Sequence, residues 1–227
     1  MQCNFLSIDD AQHLDGGVAV VVDVMRAYTV AAWSLHLGAS GLILVADVEE
    51  AVRVAAQRPG ALLFKDADID ARFDLHNSPV QLLALDVADR IIVQRTSAGT
   101  QGAVAARRAE HLFCSGLVGA TATAEAVMAI DPDEVSFVVT GSNGTADEDL
   151  ACAEYIAELI RGADPDAGPF VDRAKASRHA SRLLAAADGG WAGIDAGDVD
   201  MCVDVDRFDF AMRTELVDDL LMLRRVV

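Results

Sequence analysis

The sequence is poor in the residue types that build aromatic cores and cysteine- or histidine-based metal sites. Aromatic residues make up 5% of the 227-residue chain, which favours small-residue helices on Val- and Ile-rich strands over an aromatic-rich β-sandwich. The four cysteines are scattered without a CxxC pair, and the five histidines show neither HxH nor HExxH spacing. We therefore expect reduced, mostly buried cysteines and no histidine-built metal site.

Long apolar runs and basic residues are also scarce. No uncharged apolar run is long enough to span a membrane, and the N-terminal segment lacks a basic stretch and an apolar core. The simplest expectation is a cytoplasmic protein without a membrane span or signal peptide. With 18 basic and 36 acidic residues, the net charge of −18 disfavours nucleic acids and anionic membranes as partners. A small anionic substrate stays compatible, because salt screens distant charges and a local arginine can dominate inside a cleft.

Short apolar runs alternate with helical patterns over the first three quarters of the chain. The apolar runs predict strands at 18–22, 42–45, 61–64, 91–94, 111–114 and 135–140. The helical patterns between and after them predict helices at 25–37, 48–57, 79–85, 101–108, 118–129 and 146–161. This alternation indicates right-handed βαβ crossovers and a mostly parallel sheet. The sequence thus predicts an α/β protein with three layers, α/β/α.

The last quarter of the chain lacks this alternation. Residues 162–168 have the composition of a linker, and helices are predicted beyond it at 169–187, 196–203 and 215–225. For the last of these an edge strand is an equal alternative. We predict a sheet-building portion over 1–162 and a mainly helical portion over 163–227, packed together or forming one continuous domain. Small-residue α/β enzymes of this size often pair, so a homodimer is compatible with the sequence.

Polar residues follow three of the predicted strands, where parallel sheets bind ligands. At the first junction, Asp23 leaves a buried strand and Arg26 follows three residues later. Such an Asp can hold a divalent cation or attack phosphorus, and such an Arg can grip phosphate oxygens. A helix cap with an internal salt bridge is the structural alternative.

The second and third junctions are weaker signals when taken singly. Residues 95–100 offer backbone N–H groups and hydroxyls to an anion, although a capped turn explains them equally well. Glu148 and Asp149 lie in a first helical turn, where acids suit the helix dipole, or alternatively one of them faces the cleft and helps to hold Mg²⁺. We expect all three junctions at one edge of the sheet, and together they favour a phosphate site.

Motifs at these junctions and elsewhere resemble those of a known family. In order along the chain they are Asp23-Val24-Met25-Arg26-Ala27-Tyr28-Thr29, Phe73-Asp74-Leu75-His76-Asn77-Ser78-Pro79, Thr96-Ser97-Ala98-Gly99-Thr100, Glu148-Asp149-Leu150-Ala151-Cys152, Asp198-Val199-Asp200-Met201-Cys202 and Asp206-Arg207-Phe208. Between about residues 18 and 210, the sequence resembles the 2-phosphosulfolactate phosphatase family, Mg²⁺-dependent enzymes of coenzyme M biosynthesis.

The resemblance implies a Mg²⁺-dependent phosphatase that acts on a small phosphorylated acid. Asp23 and Arg26 are the implied catalytic residues, and Asp23 with Glu148 or Asp149 would hold the Mg²⁺. The implied substrate- and phosphate-binding residues are Asn77, Ser78, Thr96, Ser97, Gly99 and Thr100. Both water and Asp23 itself stay open as the nucleophile.

The chain departs from the family pattern at several positions. The family has Gly at His76, Asn at Ala98, Gly-Glu at Lys65-Asp66 and Cys-Ala-Gly at Val139-Thr140-Gly141. These changes surround a retained phosphate site, so they favour a substrate other than 2-phosphosulfolactate. They also motivate two rival hypotheses: a non-catalytic or repurposed small-anion-binding protein, and an acidic scaffold for a protein partner.

Overall fold

The computed structural model describes residues 1–226, so Val227, the last residue of the predicted C-terminal portion, lies outside the description. Over these residues the strands are Gln2–Leu6 (β1), Val18–Val22 (β2), Gly41–Leu44 (β3), Leu62–Lys65 (β4), Ile91–Arg95 (β5), His111–Ser115 (β6), Glu134–Val139 (β7), Ala211–Val217 (β8) and Leu220–Val226 (β9). The α-helices are Ile8–Ala11 (α1), Ala27–His36 (α2), Val48–Ala56 (α3), Pro79–Leu82 (α4), Gly99–Ala105 (α5), Ala120–Met128 (α6), Asp147–Ile160 (α7), Gly168–Lys175 (α8), Arg178–Asp188 (α9) and Asp198–Cys202 (α10).

The central strand β2 shows why the sheet is covered on both faces. All five of its residues are buried, and successive side chains point to opposite faces of the sheet. Ala19 and Val21 belong to one apolar cluster, whereas Val18, Val20 and Val22 belong to another. A continuous run of β-branched residues is typical of a parallel strand with helices on both sides. The predicted three-layer α/β/α fold is confirmed.

The strands described form one sheet of two parallel halves joined by an antiparallel hairpin, in the order β1-β7-β2-β6-β8-β9-β3-β5-β4. The ladders within β1-β7-β2-β6 and within β3-β5-β4 are parallel. The three ladders that join the halves, β6–β8, β8–β9 and β9–β3, are all antiparallel. Each antiparallel ladder reverses the strand direction once. Three such ladders therefore leave the strands of one half running opposite to those of the other half. The junction after β5 therefore belongs to the half that runs in the opposite direction to β2 and β7, and tertiary contacts decide whether it meets the other two junctions.

The joining hairpin also corrects the prediction for the end of the chain. Residues 215–225 form neither a helix nor an edge strand, since β8 and β9 lie in the middle of the sheet. Asp218 and Asp219 have φ angles of 51° and 63°, and two positive φ values are what a tight two-residue hairpin turn requires. The leucines at 216, 220 and 223 imitate the spacing of a helix face, which explains the error.

Three further segments differ from the prediction. The helix expected at 169–187 is two helices, because Ser177 accepts a hydrogen bond from the Ala180 N–H (3.1 Å) and starts α9 anew. Strand β1, which pairs in parallel with β7 at the sheet edge, and the short helix α1 were not predicted. The other predicted strands and helices are confirmed within a few residues at each end.

Two general expectations are tested by the described residues. Within residues 1–226 no helix is both long and apolar enough to cross a membrane. All four cysteines are unpaired, with Cys114, Cys152 and Cys202 buried and Cys3 partly buried. The prediction of reduced, mostly buried cysteines is thus confirmed.

Candidate active site

The carboxyl ends of β2 and β5 meet although the two halves of the sheet run in opposite directions. The Tyr28 hydroxyl in α2 donates to the carbonyl of Gly99 in α5 (2.7 Å). A Cβ atom added at Gly99 would lie 2.8 Å from the Asp23 Oδ2 atom. Only glycine therefore lets the loop after β5 approach this carboxylate, and the contact brings the first two junctions together.

Asp23 follows β2 directly and is 6% exposed. Its Oδ1 atom accepts a hydrogen bond from the Ala27 N–H (3.1 Å), so the carboxylate also closes the start of α2. Burial raises the pKa of Asp23 to about 6, and the nearby carboxylates of Asp66 and Glu148 add to the rise. A buried acid with like-charged neighbours is unstable as an anion until a cation joins it.

Asp149, in the first turn of α7, ties two loops together. Its Oδ1 atom accepts from the Val24 N–H (2.8 Å), and Oδ2 accepts from the Gly141 N–H (2.9 Å) and the Thr140 hydroxyl (3.3 Å). Burial holds the pKa of Asp149 well above its usual range, with Asp23 contributing. Both oxygens are thus engaged, and the side chain holds the loops after β2 and β7 in register.

Glu148 completes an acidic cluster, which we define as Asp23, Glu148 and Asp149. Glu148 as a whole is 2% exposed. The Oε1 atom pairs with Nδ1 of His179 on α9, whereas Oε2 is buried without a hydrogen-bond partner among the described residues. The hydrogen bond to Glu148 raises the pKa of His179. One carboxylate oxygen of the cluster is therefore left for a ligand.

The loop after β5 has groups that could bind an anion, but the carboxylate of Asp66 already occupies them. The backbone N–H of Ser97 donates to Asp66 Oδ2 (2.8 Å), and the Ser97 hydroxyl contacts the same oxygen. Thr96 and Thr100 bond to each other, with each backbone N–H donating to the other hydroxyl (2.8 and 3.0 Å). The two threonines thus shape the loop, and a carboxylate sits where an anion could bind.

Arg26 faces a partner from the far end of the chain. Its Nη1 atom donates to Asp198 Oδ2 (2.6 Å) and to the Gly193 carbonyl (2.9 Å). Asp198 is fully buried and its Oδ1 atom also accepts from the Ser78 hydroxyl (2.6 Å). Arg26 lines a cleft of about 330 Å³, which we call the Arg26 cleft.

His76 and Asn77 lie beside this cleft. His76 lines it, and its Nε2 atom accepts from the Asp70 N–H (3.0 Å). Burial lowers the pKa of His76, and the nearby Lys65 adds to the effect. Asn77 has a φ of 60° and a buried Oδ1 atom without a hydrogen-bond partner among residues 1–226. His76 therefore adds a polar group to the lining of the cleft, whereas the amide oxygen of Asn77 is buried behind it.

Comparison with known proteins shows the family of this chain. The family model for 2-phosphosulpholactate phosphatase matches residues 6–215. The chain belongs to this family. A probable 2-phosphosulfolactate phosphatase of Bacillus subtilis (strain 168) is 30% identical over 214 residues, or 92% of each chain. Proteins of the same description from Thermus thermophilus and Deinococcus radiodurans are 36% and 37% identical, each over 63% of this chain and 61% of the relative.

Six of the site residues predicted from this family's motifs fall into two groups. The structure brings Asp23, Gly99, Glu148 and Asp149 together through direct contacts or through mutual effects on pKa. Arg26 and Ser78 meet at Asp198 instead. The hydroxyl of Ser78 also accepts the Gln81 N–H (3.2 Å), so this predicted substrate-binding residue caps α4.

Three residues at the site were not assigned from the sequence. Asp66 follows β4 and could have been found by the rule that polar residues after parallel strands face ligands. Asp198 lies in a motif already quoted, but its role needs a contact across 172 positions. His179 carries no sequence signal, because only the packing of α9 brings it to Glu148.

The residues present fit a divalent cation. In the described part of the chain, no three His, Cys, Asp or Glu side chains form a ready-made metal cage. However, Mg²⁺ in enzymes usually takes one or two carboxylates, several waters and substrate phosphate oxygens. Asp23 and the unpartnered Oε2 atom of Glu148 provide hard oxygen donors of this kind.

Proposed function

We propose that the chain is a Mg²⁺-dependent phosphatase that hydrolyses a small phosphorylated acid, with 2-phosphosulfolactate as the first candidate. The observation that carries this proposal is the buried acidic cluster, in which burial and mutual repulsion raise the pKa of Asp23 to about 6. Such a cluster is stabilised by a cation bound together with phosphate. Membership of the 2-phosphosulpholactate phosphatase family supports the same activity.

Each part of the site has a role in this proposal. Asp23 and Glu148 would hold Mg²⁺, which neutralises phosphoryl oxygens and helps to activate water. Asp149 keeps the two loops in position through its three hydrogen bonds. Arg26, oriented by Asp198, offers its remaining N–H groups to phosphate oxygens in the Arg26 cleft. Attack by Asp23 on phosphorus remains the alternative to attack by water.

The test is phosphate release from a panel of 2-phosphocarboxylates that includes 2-phosphosulfolactate. We expect turnover with Mg²⁺, none in EDTA, and a loss of turnover in Asp23→Asn. Equal turnover with and without Mg²⁺ would contradict the metal dependence. Absence of turnover from every compound would overturn the phosphatase proposal.

A second candidate is a repurposed small-anion-binding protein. It is favoured by the departures from the family pattern at Lys65, His76, Ala98 and Val139, which alter the surroundings of the phosphate-binding residues. Calorimetry separates the two candidates, because this one predicts phosphate or sulfate binding without Mg²⁺-dependent hydrolysis.

Location and partners extend the proposal. The four unpaired cysteines support a reducing compartment, and we propose the cytoplasm. A homodimer, a lack of affinity for nucleic acids and a role in coenzyme M biosynthesis stay predictions. Size-exclusion chromatography with light scattering tests the first of these directly.

A further inference from the structure

An arginine without an acidic partner lies in the wall of a second space beside the active site. This space, which we call the α9 lobe, encloses about 470 Å³. Its wall is mostly apolar, with Met25, Leu183, Trp191 and Ile194, and also contains the basic side chains of His179 and Arg182. Among residues 1–226 the Arg182 guanidinium forms no ion pair, whereas Arg26 in the neighbouring cleft pairs with Asp198. Arg182 is thus a cation that is free to bind a ligand.

The α9 lobe is continuous with the Arg26 cleft. Trp191 and Ile194 line both spaces. Met25, in the wall of the lobe, directly precedes Arg26, in the wall of the cleft. One extended space therefore has an arginine in each of its two parts, and a ligand held at Arg26 can reach into the lobe.

Arg182 is also linked to the acidic cluster through its own helix. It follows His179 by three residues on α9, so the two side chains share a face of the helix, and both line the lobe. The Nδ1 atom of His179 pairs with Oε1 of Glu148, which fixes this face of α9 against the cluster. A ligand whose phosphate lies at the cluster would therefore extend along α9 toward Arg182.

The surroundings of Arg182 favour an acidic group on the ligand. The side chain is exposed and stays hydrated in the free protein, so it needs no internal partner. A ligand that fills the lobe displaces water, and the apolar wall around Trp191 then strengthens the attraction between Arg182 and an anion. The planar guanidinium matches a carboxylate through two parallel hydrogen bonds. The lobe therefore suits the carboxylate end of a small phosphorylated acid.

We propose that Arg182 binds the carboxylate of a 2-phosphocarboxylate substrate, while Arg26 and the acidic cluster hold its phosphate. The inference rests on the proposed phosphatase function for the phosphate end and assigns the recognition of the acid end. Arg182 is then a specificity-determining residue, which selects phosphorylated acids over phosphate monoesters that lack a carboxylate.

Two non-hydrolysable probes test this assignment without requiring turnover. In 3-phosphonopropionate the spacing between phosphorus and carboxylate matches that of a 2-phosphocarboxylate, whereas propylphosphonate has a methyl group in place of the carboxylate. Calorimetry with Mg²⁺ compares their dissociation constants. We expect 3-phosphonopropionate to bind roughly tenfold more tightly to the unaltered protein, as one charge-assisted contact allows. The net charge of −18 would by itself oppose this preference, so a local positive charge has to produce it.

Two variants of α9 make the comparison specific. Arg182→Ala should bring the two dissociation constants close together and leave the affinity for propylphosphonate unchanged. Arg178→Ala is the matched control, because Arg178 is an exposed arginine of the same helix that lies outside the lining of the lobe and the cleft. It removes the same charge and should keep the preference. Since both arginines are exposed, neither truncation should disturb folding, which circular dichroism verifies.

Several outcomes would overturn the inference. These are equal or absent binding of the two probes to the unaltered protein, an unchanged preference in Arg182→Ala, or the same loss of preference in Arg178→Ala. Loss of binding of both probes in Arg182→Ala would show that Arg182 holds the phosphate end instead.

Failure of this inference and failure of the phosphatase proposal give different results. Phosphate release from 2-phosphocarboxylates without a carboxylate preference in binding would overturn only the role of Arg182. A carboxylate preference that is lost in Arg182→Ala, without phosphate release from any compound, would support the role of Arg182 and overturn only the phosphatase activity.

Discussion

Two buried charged regions lie side by side at this site, and they are neutralised in different ways. Arg26 and Asp198 form a hydrogen-bonded ion pair of 2.6 Å, with side chains 7% and 0% exposed. The acidic cluster instead gathers like charges, and the pKa values of Asp23 and Asp149 are raised. The first region is complete within the chain, whereas the second reaches its charged state at low cost only when a cation binds.

The largest effect is expected from breaking the complete region. Asp198→Asn would leave Arg26 as an uncompensated buried charge, which lowers the free energy of unfolding by about 3–5 kcal/mol. Urea unfolding at pH 7 measures this change. Asp200→Asn, at an exposed position of the same helix, is the matched control and should change little. Equal stability of the two variants would show that the ion pair is not the stabilising element.

The acidic cluster should behave in the opposite way. Asp23→Asn is expected to reduce phosphate release by roughly 100- to 1,000-fold, as for the loss of one key electrostatic group. Its free energy of unfolding in EDTA should not fall, because the substitution removes a buried charge. Asp209→Asn, at an exposed position, serves as the control for both measurements. A stability loss as large as that of Asp198→Asn would remove the contrast between the two regions.

The pH dependence of stability sharpens the same contrast. The folded-state pKa of Asp23 is about 6, above the ordinary value of 3.8. Protonated Asp23 therefore makes its full contribution to the free energy of unfolding below pH 3.8. This contribution is lost as the pH rises through about 6, and the free energy of unfolding falls by on the order of 2–3 kcal/mol by pH 7. The raised pKa of Asp149 acts in the same direction.

Urea unfolding in EDTA between about pH 4 and pH 7 measures this loss. Mg²⁺ at a hundredfold excess over its dissociation constant should restore about 2.7 kcal/mol at pH 7. Asp23→Asn should show a shallower pH dependence and a weaker response to Mg²⁺. Identical pH profiles for this variant and the unaltered protein would contradict the expectation.

The smallest effect is expected at Ser78. Ser78→Ala removes the cap of α4 and one hydrogen bond to Asp198, so we expect a loss of about 1–2 kcal/mol in unfolding free energy. Ser7→Ala removes a cap from α1 without a contact to Asp198 and is the comparison. If both variants lose the same amount, the bond to Asp198 contributes nothing measurable.

Local features of the fold were predictable because their causes lie within a few residues. Asp47 caps α3, where its side chain accepts a hydrogen bond from the Glu50 N–H (2.9 Å). Ser78 caps α4, which begins at Pro79. The error at 215–225 has an equally local cause, since leucines at helical spacing hid a two-residue turn. Only the pairing of β8 with β6 and of β9 with β3 shows which pattern prevails.

The sequence by itself determined the alternation of buried strands and helices, the family and the residues of the individual loops. Hydrophobic periodicity and helix caps act between near neighbours, so they can be recognised along the chain. The tertiary structure alone decided that two opposed half-sheets bring Gly99 to Asp23, and that Arg26 meets Asp198 across 172 positions. These contacts depend on the hairpin between the halves and on the packing of the last helices, because no short-range rule relates residues so far apart.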